Sequence, residues 1–312
     1  MRIAVFGADG FLGRHLVARL SEVTGNEIIA FDRFNSLARG EMHAFDKLGN
    51  VKQLAGDFFN RDDVHYALEG VDIAFHLVST TNPAVSLHDP LIEVDTNIRA
   101  SVEFLLSCKN ASVGKVVHFS SGGTVYGNVS SKSIKETSPL EPISPYAIAK
   151  VTIENFLRYF HEAHGIEYLV YRIANPYGPG QNIHGKQGVI PIFMKRYLEN
   201  EPIDIYGTGE MVRDYIYIDD LMNMILASYN QQTAYSIYNL GSGEGHTILD
   251  IIDAIEKCTP VRPVKNHLPV PLSFVEHNVL NIERFNTEFG VQPKTTLKEG
   301  TKKMWEYVSY VS

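Results

Sequence analysis

Gly7, Gly10 and Gly13 stand between an apolar run at residues 3–6 and an amphipathic stretch at 11–23. The run reads as a buried parallel strand and the stretch as a helix. Glycines at this spacing let the backbone turn tightly, approach a pyrophosphate and pack the helix on the strand. The helix N-terminus then faces the phosphates with its free N–H groups. A second apolar run, residues 27–31, ends in Asp32. A carboxylate there bonds both ribose hydroxyls and repels a 2′-phosphate, which argues for NAD over NADP. The neighbouring Arg33 pulls the other way. A glycine turn without a ligand is the bland alternative, and the ordered run of strand, glycines, helix, strand and acid argues against it.

Further strand-like runs at 51–54, 73–77, 116–120 and 167–173 alternate with helical ones near 62–68, 87–108 and 146–164. That alternation predicts an α/β fold, a Rossmann-type doubly wound parallel sheet. After Arg172 the pattern changes: Pro176, Gly178, Pro179 and Gly180 crowd one loop, and shorter elements follow. Residues 1–174 are expected to form a dinucleotide-binding domain, with strands from 214–240 returning to it. Residues 175–312 are expected to form mainly a smaller C-terminal α/β domain that binds substrate.

The 312 residues, 44% of them apolar, support a full core. A net charge of -8 without basic clusters argues against nucleic acid as a partner. Cys108 and Cys258 are the two cysteines, which suggests neither a disulfide framework nor a cysteine zinc site. No apolar run approaches membrane-spanning length and no signal-like segment precedes the first strand, so the expectation is a cytoplasmic protein with no membrane partner. His161 and His164 read as a solvated helix face rather than a metal site.

Tyr146 and Lys150 lie four apart after Ser144-Pro145, at the start of a stretch rich in helix formers. Proline is tolerated in a helix's first turn, and residues four apart share a helical face. An ammonium beside a phenol is expected to lower the phenol's pKa, making it a usable general acid/base. The spacing alone is weak, since such pairs arise often by chance.

Several motifs recur in order: Gly7 to Gly13; Gly56-Asp57; His76-Leu77-Val78; Asn97; Ser120-Ser121-Gly122-Gly123-Thr124-Val125-Tyr126-Gly127; Tyr146 to Lys150; Asn175-Pro176-Tyr177-Gly178-Pro179; Arg213 to Asp220; and Tyr238 to Ser242. With this set the chain resembles the extended short-chain dehydrogenase/reductases, specifically the NAD-dependent nucleotide-sugar epimerases and dehydratases of the UDP-glucose 4-epimerase type. The resemblance implies that Gly7, Gly10, Phe11, Leu12 and Gly13 cradle the pyrophosphate of NAD, with Asp32, Asn35 and Ser36 around the adenosine ribose. Asp57 and Phe58 would meet the adenine, and Leu77, Val78, Ser79 and Asn97 would line the rest of the dinucleotide path. Lys150 would bond the nicotinamide ribose and tune Tyr146. Asn175, Val189, Tyr206 and Arg213 would hold the nucleoside diphosphate of a UDP-sugar or other nucleotide sugar. The Arg213 fork also matches phosphate oxygens bidentately; its bland alternative is an ion pair with Asp214 or Asp219. A homodimer formed through the helices near 87–108 and 146–164 is likewise implied.

The activity implied is inversion of carbon 4 of a UDP-hexose, glucose/galactose or their N-acetylated forms, through a transient 4-keto intermediate. Position 122, where the family's epimerases usually carry a catalytic Ser or Thr, is Gly122. Thr124 is the first substitute and Ser121 the second, unless both hydroxyls merely cap the loop. The family's dehydratases carry an Asp-Glu pair where this chain has Gly123 and Thr124, which disfavours dehydration. An NAD(P)H-dependent 4-keto-sugar reductase and a non-catalytic nucleotide sensor are the other readings. Residues 269–280 lack the arginine that family members often use as a second diphosphate contact, leaving Lys265 or Arg262 as replacements.

Overall fold

Ile3, Ala4, Val5 and Phe6 are all buried, in a strand paired on both edges whose side chains meet cover on both faces of the sheet. The computed structural model describes residues 1–34, 43–129, 131–185, 188–270 and 275–311. Its strands are β1 (Arg2–Phe6), β2 (Glu27–Asp32), β3 (Val51–Ala55), β4 (Ile73–His76), β5 (Lys115–Ser121), β6 (Glu167–Ile173), β7 (Asn175–Tyr177), β8 (Ile203–Tyr206), β9 (Val212–Tyr217), β10 (Ile237–Leu240), β11 (Gly245–Thr247), β12 (Lys265–Leu268) and β13 (His277–Asn278). Seven of them form one sheet in the order β10-β6-β5-β4-β1-β2-β3. The β1–β2, β2–β3, β1–β4 and β4–β5 pairs are parallel, so the expected doubly wound sheet is present.

Two compact units divide the chain, residues 1–121, 144–171 and 228–237 forming the first. Its helices include Phe11–Ser21, Arg61–Ala67, Arg99–Asn110 and Pro145–His164. One aromatic cluster fills the core beneath β1: Phe6 meets Phe31 at a tilt and Phe104 edge-on, with ring centres 4.9 Å apart in each case, and Phe58 closes on Phe104 at 5.6 Å. Burying rings of this size contributes roughly 2–3 kcal/mol each. The stretch expected as one helix over 87–108 is wound differently. A short turn at Pro83–Ser86 comes first, and a wide π-helical segment, Glu93–Ile98, leads into Arg99–Asn110.

The second unit comprises residues 122–143, 172–227 and 238–312. In it β9 pairs with β7, β11 and β13, and β8 pairs with β12. Of the strands expected to return to the main sheet, Ile237–Leu240 does so, whereas Val212–Tyr217 lies in this separate sheet. The buried Asp214 fixes that placement, since its carboxylate accepts hydrogen bonds from the backbone of Ser242, Gly243 and Leu280.

Candidate active site

The glycine turn has the geometry its spacing predicts. Gly7 adopts φ +91°, open mainly to glycine, and a Cβ there would press on Val78 N at 3.2 Å and Leu77 C at 3.3 Å. A Cβ on Gly13 would stand 2.1 Å from Gly7 O, so the helix sits on the turn only without a side chain. Gly10 is the N-cap of Phe11–Ser21 and offers no side-chain acceptor, and the first turn carries no acid. The N–H groups there are thus left to an external acceptor. Asp32 closes β2, accepting from Asp9 N at 2.9 Å and Arg33 N at 2.7 Å while each oxygen keeps a lone pair for a ribose hydroxyl. These features fit a dinucleotide. Asn35 and Ser36 lie outside the described residues.

Asp9, within the glycine turn, escaped the sequence reading. Its Oδ1 is flanked by Arg14 at 2.8 Å and His43 at 2.8 Å, so a carboxylate beside the phosphate cradle is offset by two partners. Asp57 caps the following turn through Phe59 N, 3.0 Å away. Phe58 packs against Phe6, His76 and Phe104, which makes its ring a core element.

Ser144 caps the Pro145–His164 helix through Ala147 N, and Pro145 occupies its first turn. That places Tyr146 and Lys150 one turn apart, with the Lys150 Nζ 5.7 Å from the centre of the Tyr146 ring. Lys150 donates to the Phe119 carbonyl at 3.1 Å. The Tyr146 hydroxyl is hydrogen-bonded to Ser121 and Ser79. Of the two expected substitutes, Ser121 is thereby joined to the phenol within this unit; Thr124 lies in the other, its carbonyl accepting from Gly127 N at 3.2 Å. Ser79, expected only along the dinucleotide path, is a second phenol partner.

The expected lowering of the phenol's pKa by Lys150 does not occur in this state. Burial and the Glu93 carboxylate push Tyr146 up to about 12. The ammonium is turned toward the Phe119 carbonyl, too far from the phenol to offset them. Burial brings Lys150 down to about 8, against the pull of Glu93 and Glu154. Beneath it, His76 is lowered to about 3 by burial and then by Lys150, and His118 is also held well below its ordinary value. Both imidazoles are therefore neutral near pH 7.

Asn97 makes all its side-chain hydrogen bonds within the protein. Its Nδ2 donates to Glu93 Oε2 at 2.8 Å and Thr81 Oγ1 at 3.0 Å, and its Oδ1 accepts from Thr80 N at 3.1 Å. It fixes the loop that carries Ser79.

In the second unit, Gly122 is dictated by packing. A Cβ there would lie 2.6 Å from Leu280 Cδ1 and 2.9 Å from the Arg172 carbonyl, so the hydroxyl usual in the family's epimerases has no space. Asn175 donates to the Asp214 carbonyl at 2.8 Å. Val189 opens the Val189–Glu199 helix, and Tyr206 ends β8 half-exposed. Arg213 donates its guanidinium N–H groups to the carbonyls of Val212, Val275 and Glu276. Arg262 and Lys265 both pair with Glu256, so neither is a free replacement for the missing arginine. His161 bonds the Ile166 carbonyl at 3.1 Å.

A model of the NAD dependent epimerase/dehydratase family matches residues 3–241. The chain belongs to that family and is an NAD-dependent enzyme. A UDP-glucose 4-epimerase from Thermotoga maritima, solved with UDP-glucose, is 31% identical with a TM-score of 0.91, covering 100% of this chain and 99% of that one. A UDP-glucose 4-epimerase from Thermus thermophilus, solved with NAD, is 28% identical with a TM-score of 0.90 over 100% of both chains. A dTDP-4-dehydro-6-deoxyglucose reductase from Escherichia coli is 30% identical over 97% of this chain and 96% of its own length. Among the described residues no helix is long and apolar enough to cross a membrane.

Proposed function

We propose that the protein is a nucleotide-sugar 4-epimerase that inverts carbon 4 of a UDP-hexose, glucose/galactose or their N-acetylated forms. The observation that carries this reading is the Tyr146 phenol, hydrogen-bonded to Ser121 with Lys150 one turn away, on a fold whose glycine turn fits NAD. When bound, NAD supplies the hydride acceptor and a cationic ring. Tyr146 takes the proton of the sugar's 4-hydroxyl and later returns it. Ser121 holds the phenol in line for both transfers. A phenol at about 12 is a proton donor near pH 7, so its base role requires positive charge beyond Lys150.

Residues 1–174 are assigned to NAD and residues 175–312 mainly to the nucleotide sugar. Asn175, Val189, Tyr206, Arg213 and Thr124 are the substrate contacts in this reading, with Arg213 exchanging carbonyl partners for phosphate oxygens. Exposed apolar side chains on the two long helices of the first unit, Leu106, Ile148 and Tyr159 among them, support a homodimer.

The test is incubation of purified protein with UDP-glucose, UDP-galactose and their N-acetylated forms without added reductant, reading stereochemistry by NMR. Interconversion that Tyr146→Phe slows by about 100-fold or more supports the reading. The likeness to a reductase favours one alternative, consumption of NAD(P)H stoichiometric with a 4-keto sugar. That outcome, or near-normal turnover in Tyr146→Phe, overturns the epimerase.

A further inference from the structure

Ser86 closes the short helical turn Pro83–Ser86 and is fully buried, while its apolar neighbours Val85 and Leu87 are exposed. A turn that sends its hydroxyl inward and its hydrocarbon outward reverses the usual order. A buried hydroxyl costs free energy unless it is paired. This one is paired in both directions: it donates to the Pro83 carbonyl at 3.1 Å and accepts from Tyr146 N at 3.2 Å. The first bond is local and closes the turn by itself. The second joins residues 60 apart in the chain, and the turn has no need of it.

The need lies at the other end of that bond. The first N–H groups of a helix have no partner within it. In the Pro145–His164 helix, Pro145 has no N–H, and the capping hydroxyl of Ser144 accepts from Ala147 N at 3.2 Å. Ile148 N reaches the Ser144 carbonyl at 3.0 Å in the ordinary helical pattern. Tyr146 N is the donor that the cap leaves over, and Ser86 accepts from it. The segment that ends at Ser86 begins at Ser79, whose hydroxyl bonds the Tyr146 phenol. One short segment thus holds the tyrosine at both backbone and ring.

We propose that Ser86 is a positioning residue: its bond to the Tyr146 amide fixes where the phenol stands, and with it the line of proton transfer. The proton transfer rests on the epimerase reading; the hold on the tyrosine does not. Ser86 meets the tyrosine's backbone and no reacting atom, so its loss should lower kcat and leave KM in place.

The experiment compares wild type, Ser86→Ala and Ser86→Thr as full chains labelled with 15N-tyrosine, the Tyr146 amide signal being assigned by its loss in Tyr146→Phe. In Ser86→Ala the Tyr146 amide should exchange with solvent about tenfold faster or more, as expected for one lost hydrogen bond. The amide of Tyr171, in β6, should keep its wild-type rate. Labelling with 3-fluorotyrosine reads the ring: the Tyr146 fluorine signal should move in Ser86→Ala and return in Ser86→Thr, which keeps the hydroxyl. With epimerase activity, kcat of Ser86→Ala should fall about tenfold with KM within about twofold of wild type, and Ser86→Thr should recover it. An unchanged Tyr146 exchange rate overturns the proposal, and so does equal acceleration at Tyr171, which would mean general loosening. Faster exchange with an unmoved ring signal, or with unchanged kcat, reduces Ser86 to a helix cap and overturns it as well. Should Ser86→Ala fail to fold, Ser86→Cys, which keeps the shape and weakens both bonds, is read in the same way. The exchange and fluorine measurements need no turnover of any sugar, so failure of the epimerase reading stays separate.

Discussion

Gly122 and Leu280 are packed so closely that a Cβ at position 122 would lie 2.6 Å from Leu280 Cδ1. The missing hydroxyl is thus a packing outcome, and restoring it carries a structural cost. Gly122→Ser should destabilise the fold by about 1–3 kcal/mol in urea denaturation, the range for overfilled cores. Introduced into Leu280→Ala, the same Gly122→Ser change should cost less than it does in the wild type. A Gly122→Ser protein as stable as the wild type would show that Leu280 yields freely.

The bond between Ser121 and the Tyr146 phenol gives a ranking of hydroxyls. Ser121→Ala should lower kcat by about tenfold, the loss expected for one hydrogen bond of about 1.4 kcal/mol at the reacting group. Thr124→Ala should lower it less. Steady-state kinetics of the two variants decides the matter, and a larger loss in Thr124→Ala would reverse the ranking.

Lys150 gives the fold a pH dependence of definite sign. Its folded value, about 8, lies below the ordinary 10.5 of the unfolded chain. Between those values the unfolded state binds more protons, so Lys150 makes stability rise with pH across that window and leaves it flat on either side. Denaturation of wild type and Lys150→Met between pH 7 and about 10.5 should show a rise in the first that is absent from the second. Equal slopes would mean that burial does not depress Lys150.

Gly13→Ala places a Cβ 2.1 Å from Gly7 O, where only backbone can move. The variant should lose NAD affinity by about 100-fold or more, an estimate of about 3 kcal/mol for a displaced phosphate cradle. Isothermal titration with NAD measures it; affinity close to that of wild type would mean that the turn adapts.

Much of this molecule can be read from spacing. The doubly wound parallel sheet, the glycine turn, Asp32 at the end of β2 and the Tyr146–Lys150 face each follow from local periodicity and short motifs, and each stands in the structure as expected. What local pattern does not carry are the properties set by neighbours distant in the chain. The Tyr146 phenol is raised because burial and Glu93 outweigh the hydrogen bonds of Ser121 and Ser79, and no spacing rule reports a carboxylate more than 50 residues away. Asn97 stands where expected, but its side chain is taken up by Glu93, Thr80 and Thr81. Likewise β9 reads as a strand from its alternation, while the sheet it joins is decided by the burial of Asp214.

The wide turn at Glu93–Ile98 has a consequence for the whole helix it begins. One extra residue per turn offsets everything upstream by about 100° around the axis relative to an uninterrupted α-helix. Phe104, downstream, keeps its facing into the aromatic core, while Glu93 and Asn97 are dialled to another bearing. The two ends of one continuous rod are therefore held at a set offset, and deleting a single residue from the turn would swing the upstream acid through more than a quarter of a circle.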